Sequence, residues 1–212
     1  MDSFLRPEES AVRQRAREYF RTKPGPAGRG KKDVPDPQRI LKDMGLAGSS
    51  KSGLPGAMDL MHAALVIEEC AWASPSAGRA LAAAWDESGD RPWPSGPSVA
   101  AAAWSLGTAA ALHEASLKAA RKRGFFGSTL MGHQKTQMAL ADLLSGLESA
   151  RLCVYRALDL VDRGQDDRGL TELGRALEFA VRTRAAAEAL AADLLGADGI
   201  AKEFVEGERR RS

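Results

Sequence analysis

The sequence LMGHQKTQMALADLLSGLESARLCVYRALDLVD, residues 130–162, decides the fold class. Large residues recur in it at alternating steps of four and three, the period of one face of an α-helix. Arg151 interrupts this otherwise apolar stripe, and Glu148 lies one turn before it, so we expect the two to form a buried structural ion pair. The stripe consists of Leu140, Leu144, Leu147, Arg151, Val154, Leu158 and Val161. The stretch predicts one long helix packed against other helices.

The remainder of the chain also reads as a series of helices. Capping residues, prolines and glycines predict helices at residues 7–20, 38–44, 57–72, 76–88, 98–122 and 170–195, the last closed by Gly196. The segment GDRPWPSGP, residues 89–97, contains three prolines and fits neither a helix nor a central strand. We therefore predict an all-α protein with an N-terminal helical domain (1–88), a proline-rich linker (89–97) and a C-terminal helical bundle (98–212).

The composition excludes several classes of function. Thirty Lys and Arg against 28 Asp and Glu give a formal net charge of +2, far from the concentrated positive charge of a general nucleic-acid binder. The first residues are charged, and no apolar run reaches the length of a signal peptide or a membrane span. We expect a cytoplasmic protein that binds neither nucleic acid nor membrane.

Cysteine and histidine usage indicates no metal centre. Cys70 and Cys153 are too few for a disulfide framework or a zinc site, and we expect both to be buried reduced thiols. None of the three histidines belongs to the Glu-x-x-His motif of di-iron helical bundles. No metal ligands are therefore predicted.

Two groups of segments resemble the acyl-CoA dehydrogenase family. ILKDMGLAG and LVIEECAWASPSAGRAL resemble its N-terminal helical domain, and residues 106–164 resemble the start of its C-terminal helical domain. The second likeness rests on an ordered set: Arg123, then Phe126-Gly127, then His133-Gln134, Leu-Ala-Asp and Glu-x-Ala-Arg. Members also have a β-barrel domain between the helical domains that covers much of the flavin, and here residues 89–97 stand in its place.

The resemblance implies an FAD site with retained and altered positions. Arg123 matches the Arg that reaches the cofactor diphosphate across a dimer, where a guanidinium forms paired bonds with phosphate. Phe126, Leu130 and His133 match positions that line the adenine end, and Gly127 completes the Phe-Gly pair. ADLLGADGI, residues 192–200, matches a Gln-x-x-Gly-Gly segment that gives backbone N–H groups to the diphosphate. It keeps Gly196 but has Asp193 for the Gln and Ala197 for the second Gly, which weakens that part of the grip.

The catalytic positions implied by the resemblance are not retained. Most members carry a catalytic Glu shortly after an Arg-Asp pair that here aligns with Arg211-Ser212, and others carry it where this chain has Pro97. The Arg that clamps coenzyme A aligns with Ser98. Since general-base catalysis needs a carboxylate beside the substrate α-carbon, we predict no catalytic residue in this chain and no activity of the chain alone.

Three functions remain open at this stage. The chain could be a helical subunit of an FAD-dependent, acyl-CoA dehydrogenase-like assembly whose partner chain supplies base, flavin cover and coenzyme A clamp. It could also be a non-catalytic scaffold that has lost flavin and acyl-CoA, or, third in rank, a flavin enzyme with altered chemistry. We further expect a homodimer or hetero-oligomer, because the stripe of residues 140–161 with Leu173, Leu177 and Leu194 offers more apolar surface than one short bundle covers.

Overall fold

The structure, a computed structural model, describes residues 4–22, 43–44, 60–87, 96–125 and 127–196. The described part of the chain is built of helices and a two-residue ladder, which confirms the all-α prediction. The ladder pairs β1 (Gly124–Phe125) with β2 (Ser128–Thr129), and a 3-10 helix, Leu130–Gly132, follows it. The α-helices are α1 (Pro7–Thr22), α2 (Leu60–Ala73), α3 (Pro75–Glu87), α4 (Val99–Lys122), α5 (Gln134–Asp162) and α6 (Asp166–Leu195).

The helix ends follow the predicted capping signals, with two differences. Ser98 caps α4 by accepting a hydrogen bond from the Ala101 N–H at 2.9 Å, and Gly196 ends α6 with a φ of 74°. The helix predicted from residue 130 begins at Gln134, because extended backbone at His133 separates it from the 3-10 helix. The last helix begins four residues before its predicted start, because Gly169 fits inside it: a Cβ there would lie 2.4 Å from Cγ2 of Val161.

Parts of several predicted segments lie outside the described residues, among them residues 57–59, residue 88 and residues 197–212. Of the helix predicted at 38–44 only Asp43 and Met44 are described, and of the linker only residues 96 and 97. One hydrophobic core contains residues on both sides of that linker, including Leu65 on α2, Leu106 on α4 and Leu158 on α5. The domain boundaries at 88 and 98 remain predictions.

Glycines allow both α3 and α4 to lie close to α2. A Cβ added to Gly107 would lie 2.2 Å from the Glu68 carbonyl oxygen, and one added to Gly78 would lie 2.4 Å from the Ala71 Cα. No side chain larger than hydrogen fits at either contact without moving backbone. On its other side α4 packs against α6, and alanine occupies half of the buried positions of α6. Helix α4 is thus the central element of the described bundle.

The apolar stripe on α5 is observed with one correction. Leu140, Leu147, Val154 and Leu158 are buried, as predicted. The prediction that Leu144 lies on the buried face is wrong, because its side chain is 41% exposed. Leu143, one helical turn before Leu147, is buried in its place because it lies nearer the centre of the inward face.

Some of the apolar residues cited for an oligomer find partners within the chain itself. Leu173 and Leu194 are buried, and Leu177 packs against the core. Leu144 of the same predicted stripe is 41% exposed. An oligomer therefore remains a proposal, and Leu173, Leu177 and Leu194 do not support it.

Glu68, buried on α2, is the centre of a charged network that we call the Glu68 network. Its Oε1 accepts a hydrogen bond from Arg151 Nε of α5 at 2.7 Å and lies 3.5 Å from Arg13 Nη2 of α1. Its Oε2 accepts a bond from the Tyr155 hydroxyl at 2.7 Å. Arg151 also donates to Glu148, so the predicted ion pair is observed as part of a larger network, with Arg151 buried and Glu148 only partly buried.

Glu69 extends the network along α1. Arg13 Nε donates to its Oε1 at 2.8 Å, and Arg17 donates to both of its oxygens at 2.8 and 3.0 Å. With Glu68 and Glu148 facing Arg151, the network joins three guanidiniums to three carboxylates. Buried charges are tolerated when they are paired and hydrogen-bonded in this way. The network therefore fixes both α1 and α5 against α2.

The protonation of the network follows from burial and charge together. Burial alone would raise the pKa of Glu68, but Arg151 and Arg13 and the bond from Tyr155 more than offset it, so the pKa lies below its ordinary value. Burial, with the Glu68 charge, raises the pKa of Tyr155 well above 10. At neutral pH Glu68 is thus a carboxylate and Tyr155 a neutral donor.

Both cysteines are free thiols in different environments. Cys70 on α2 is buried, and burial raises its pKa to about 12. Cys153 is exposed, so the prediction that both are buried is wrong for this residue. It lies beside Val154, which takes the inward position on α5. Neither thiol belongs to a group that could hold a metal among the described residues.

Replacement of Glu68 by Gln tests the network. We expect the free energy of unfolding at pH 7 to fall by about 3–5 kcal/mol, because two guanidiniums lose a buried counter-charge. Because the folded pKa of Glu68 is depressed, its contribution is present above the unfolded pKa near 4.5 and is lost as pH falls below it. When urea unfolding is measured from pH 7 to pH 3, the free energy of unfolding should therefore fall less in Glu68→Gln than in the parent. Glu178→Gln, which breaks an exposed pair with Arg182, serves as control and should keep the parental slope.

Two substitutions on α5 test the corrected stripe. Leu147→Asp places an unpaired carboxylate where the side chain is 3% exposed, and we expect it to lower stability by several kcal/mol or to prevent folding. Leu144→Asp, one turn away on the exposed side, should change the stability of the single chain by less than about 1 kcal/mol. Circular dichroism during urea unfolding measures both. Equal losses in the two variants would contradict the assigned orientation of α5.

Candidate functional site

The end of α4 and the start of α5 form a tight reversal that holds most of the predicted cofactor residues. The Arg123 N–H bonds to the Ala119 carbonyl at 2.9 Å and ends α4, and the Arg123 carbonyl accepts from the Leu130 N–H at 2.8 Å. Gly127 turns the hairpin with a φ of 78°, a conformation that side chains disfavour. His133 follows the 3-10 helix, and its N–H bonds to the Leu130 carbonyl at 3.1 Å.

The end of α6 meets this reversal through Arg123. The Arg123 guanidinium donates from Nη1 to the carbonyl of Leu194, in the last turn of α6. Carbonyls in the last turn of a helix lack helical donors and carry partial negative charge, so a guanidinium is a favourable partner there. Gly196 ends the helix two residues later. We call residues 123–133 and 194–196 together the hairpin end.

A small apolar cluster supports the hairpin end from below. Ala120, Leu140 and Leu194 are buried in it, and Leu130 and Met131 pack against it half-buried. These residues come from α4, α5, α6 and the 3-10 helix, so the position of each segment depends on the others. The cluster provides the hairpin end with an apolar base beside charged groups.

The charge at the hairpin end is mainly positive. Arg121 and Lys122 occupy the last turn of α4 beside Arg123, and all three are exposed. His113 lies behind this end with its Nε2 3.2 Å from the Leu140 carbonyl, and burial lowers its pKa, so it adds no charge at neutral pH. Asp193, exposed in the last turn of α6, contributes the opposing negative charge. The arrangement can attract an anion, and Asp193 reduces that attraction.

The predicted cofactor residues are thus partly assembled. Arg123 contacts Leu130 and Leu194 directly, Gly196 follows Leu194 by two residues, and His133 is joined to Leu130 through its backbone. Gly127 lies at the tip of the hairpin, where an added Cβ would meet nothing within 4 Å. Phe126 and Ala197 lie outside the described residues.

Pro97 and Ser98 lie at the other end of α4, and the structure gives Ser98 a structural role. Its hydroxyl donates to the carboxylate of Asp86 at 2.8 and 3.0 Å while it caps the helix. The Ser98 hydroxyl therefore already has a negatively charged partner within this chain. The sequence contained the capping signal but no sign that Asp86, twelve residues earlier, would be its partner.

Two other kinds of site are not found in the part of the chain that the structure describes. No three His, Cys, Asp or Glu side chains come together there in a way that could hold a metal ion. No described helix combines the length and the apolar character needed to cross a membrane.

Comparison with known proteins identifies a family. Residues 98–210, more than half of the chain, match the family described as acyl-CoA dehydrogenase, C-terminal domain. A stretch of 73 residues is 37% identical to the cyclohexane-1-carbonyl-CoA dehydrogenase of Geobacter metallireducens. This stretch is 34% of the chain and 19% of the length of that relative. No solved structure matches the chain.

Substitution of Arg123 tests its contact with α6. Arg123→Ala removes a charged donor from the last turn of α6, and we expect a loss of about 1 kcal/mol in the free energy of unfolding. Arg121→Ala removes the same charge two residues earlier and should change stability by less than about half of that. Thermal unfolding of the two variants beside the parent measures the difference. Identical stabilities would contradict the contact between Arg123 and Leu194.

Proposed function

This chain belongs to the acyl-CoA dehydrogenase family, and from that membership we propose that it is a helical subunit of an FAD-dependent flavoprotein assembly. In this proposal the hairpin end binds the diphosphate and adenine end of FAD. A partner chain supplies the catalytic base, the cover of the flavin ring and the coenzyme A clamp. Bound FAD would supply a hydride acceptor, and the residues of this chain would hold it in place.

The geometry of Arg123 carries the proposal. A guanidinium has five N–H donors in a fixed plane, and one of its nitrogens, Nη1, binds the Leu194 carbonyl. That bond restricts the orientation of the side chain while the residue stays exposed, so the opposite edge can reach a phosphate. Leu130 and Met131 provide half-buried apolar surface beside it, suited to the edge of an adenine ring. The residues present therefore fit the nucleotide end of the cofactor.

The contribution of a partner is inferred from the start of α4. Pro97 carries no ionisable group at the position where some family members place their base, and Ser98 is already bonded to Asp86. A coenzyme A phosphate at Ser98 would meet that carboxylate, which repels it. The start of α4 therefore supplies neither a base nor a clamp, and in this proposal a partner chain supplies both.

Exposed apolar side chains on the last two helices offer a place for that partner. Large apolar residues away from the core are usually isolated, whereas several on adjacent helices indicate an interaction surface. They include Met138, Leu144 and Leu152 on α5 and Phe179 on α6. We propose that a second copy of this chain or a related subunit covers them.

A second candidate function is favoured by one observation. Asp193 is exposed in the last turn of α6, where the family has an amide, and its charge opposes binding of a diphosphate. The bond from Arg123 to Leu194 also has a purely structural use. A non-catalytic scaffold or binding protein that has lost flavin and acyl-CoA is consistent with both features.

Flavin content of a co-expressed complex separates the two candidates. The chain is produced with an acyl-CoA dehydrogenase-like partner from the same genome, and bound FAD is measured by absorbance after release. Arg123→Ala should weaken flavin binding roughly ten- to a hundredfold, because a charge-assisted bond to phosphate is lost. Arg121→Ala serves as the matched control and should retain parental flavin content. If no flavin accompanies any complex, or if both variants retain it equally, the scaffold function is the correct one.

A further inference from the structure

Trp104, in the first half of α4, is contacted by two arginines from different helices. The guanidinium carbon of Arg184 on α6 lies 4.7 Å from the centre of its ring, and that of Arg79 on α3 lies 5.8 Å from it. The indole N–H donates to the Pro75 carbonyl at 3.0 Å, which fixes the ring at the start of α3. Three helices thus bring two positive charges to one aromatic side chain.

The charges around Trp104 do not balance within the described residues. Arg184 is paired with Glu188 through Nη1, but its Nε is buried and has no hydrogen-bond partner. Arg79 is exposed, and no described carboxylate forms an ion pair with it. The two guanidinium carbons can be no more than about 10.5 Å apart, since both lie near the same ring. One carboxylate therefore faces two cations.

Cation–π attraction explains why each arginine lies at the ring, but it does not remove the repulsion between them. A single guanidinium would cover an indole. Two guanidiniums within about 10.5 Å of each other repel unless an anion lies between or beside them. Guanidiniums present paired N–H donors that match the oxygens of phosphate. The half-buried ring also limits the motion of both side chains, so less conformational entropy is lost on binding an anion.

We propose that Arg79 and Arg184, held by Trp104, form a binding site for a phosphate group of a small molecule. The site is separate from the hairpin end, since Trp104 and Arg123 lie about 28 Å apart along α4 at 1.5 Å per residue. It does not depend on the proposed function, because no residue of the flavin site takes part. A phosphate at this place would bind to α3 and α6 together and link them across α4.

Titration of the full chain with inorganic phosphate at low ionic strength tests the site. The indole N–H signals of the four tryptophans are followed by NMR, and that of Trp104 is assigned with Trp104→Phe. We expect phosphate to shift the Trp104 signal with saturation and to leave the signals of Trp72 and Trp85 in place. Acetate, a monoanion, should give a markedly weaker response. No saturable shift at Trp104, or an equal response to acetate, overturns the proposal.

Charge-matched variants distinguish a site from general attraction. Arg79→Gln should weaken phosphate binding roughly tenfold, the effect of losing one charge-assisted contact. The control is Arg182→Gln, which also removes one positive charge. Arg182 lies on α6 two residues before Arg184 and forms an exposed i,i+4 pair with Glu178. Its substitution should change the affinity by less than about twofold, because Arg182 points to solvent with 75% of its side chain exposed. Equal weakening by the two variants means that only the overall charge matters and refutes the site.

Discussion

The arrangement of the described helices depends on the neutralisation of Glu68. A fully buried carboxylate is unfavourable unless charge and hydrogen bonds surround it, and the partners of Glu68 come from both ends of the chain. Arg13 reaches it from α1, and Arg151 and Tyr155 reach it from α5. Because each of these partners is itself buried, none can move to solvent without leaving a charge or a hydroxyl unpaired. Apolar packing sets the general position of the helices, and this network sets their register.

The network acts together with the small residues of α4. Gly107 brings the α4 backbone against the Glu68 carbonyl, on the same turn of α2 that carries the network. With α2 fixed on one side by charge and on the other by close contact, the ends of α4 are placed accurately. One end carries Arg123 and the other carries Ser98 and Trp104. The two candidate sites thus share one rigid helix and meet different neighbours on it.

Much of the fold could be predicted from local signals in the sequence. Helix periodicity, Ser98 as a cap and Gly196 as a terminator act over a few residues, and the structure agrees with them. The Glu148–Arg151 pair was predictable for the same reason, since the two residues lie one turn apart. Leu144 was misplaced because a spacing of four or three residues gives a stripe to within about one position, and Leu143 satisfied the same period nearly as well.

The contacts that define the candidate sites could not be predicted because they join residues far apart in the chain. Arg151 meets Glu68 across 83 residues, and Arg123 meets Leu194 across 71. In the sequence nothing near Glu68 and Glu69 indicated that they would pair with the arginines of α1. Resemblance to a family predicted a cofactor role for Arg123, but it gave no information about its contact with Leu194. That contact is visible only once α6 is placed beside α4.

In the proposed function Arg123 serves the bundle through its bond to Leu194 and would serve the cofactor through its opposite edge. A guanidinium bound to a helix carbonyl stabilises the bundle whether or not a phosphate occupies its opposite edge. Its retention is therefore expected in a flavin-binding subunit and in a scaffold alike.

Asp193 differs from Arg123 in this respect. Its carboxylate forms no bond in the described structure that would stabilise a scaffold, and its charge disfavours binding of a diphosphate. Asp193→Gln, which restores the amide of the family, should raise flavin content if the hairpin end binds FAD, and should leave stability unchanged within about half a kcal/mol because the residue is exposed. In a scaffold the same substitution alters neither quantity, so flavin measured in the co-expressed complex distinguishes the two functions without disturbing Arg123.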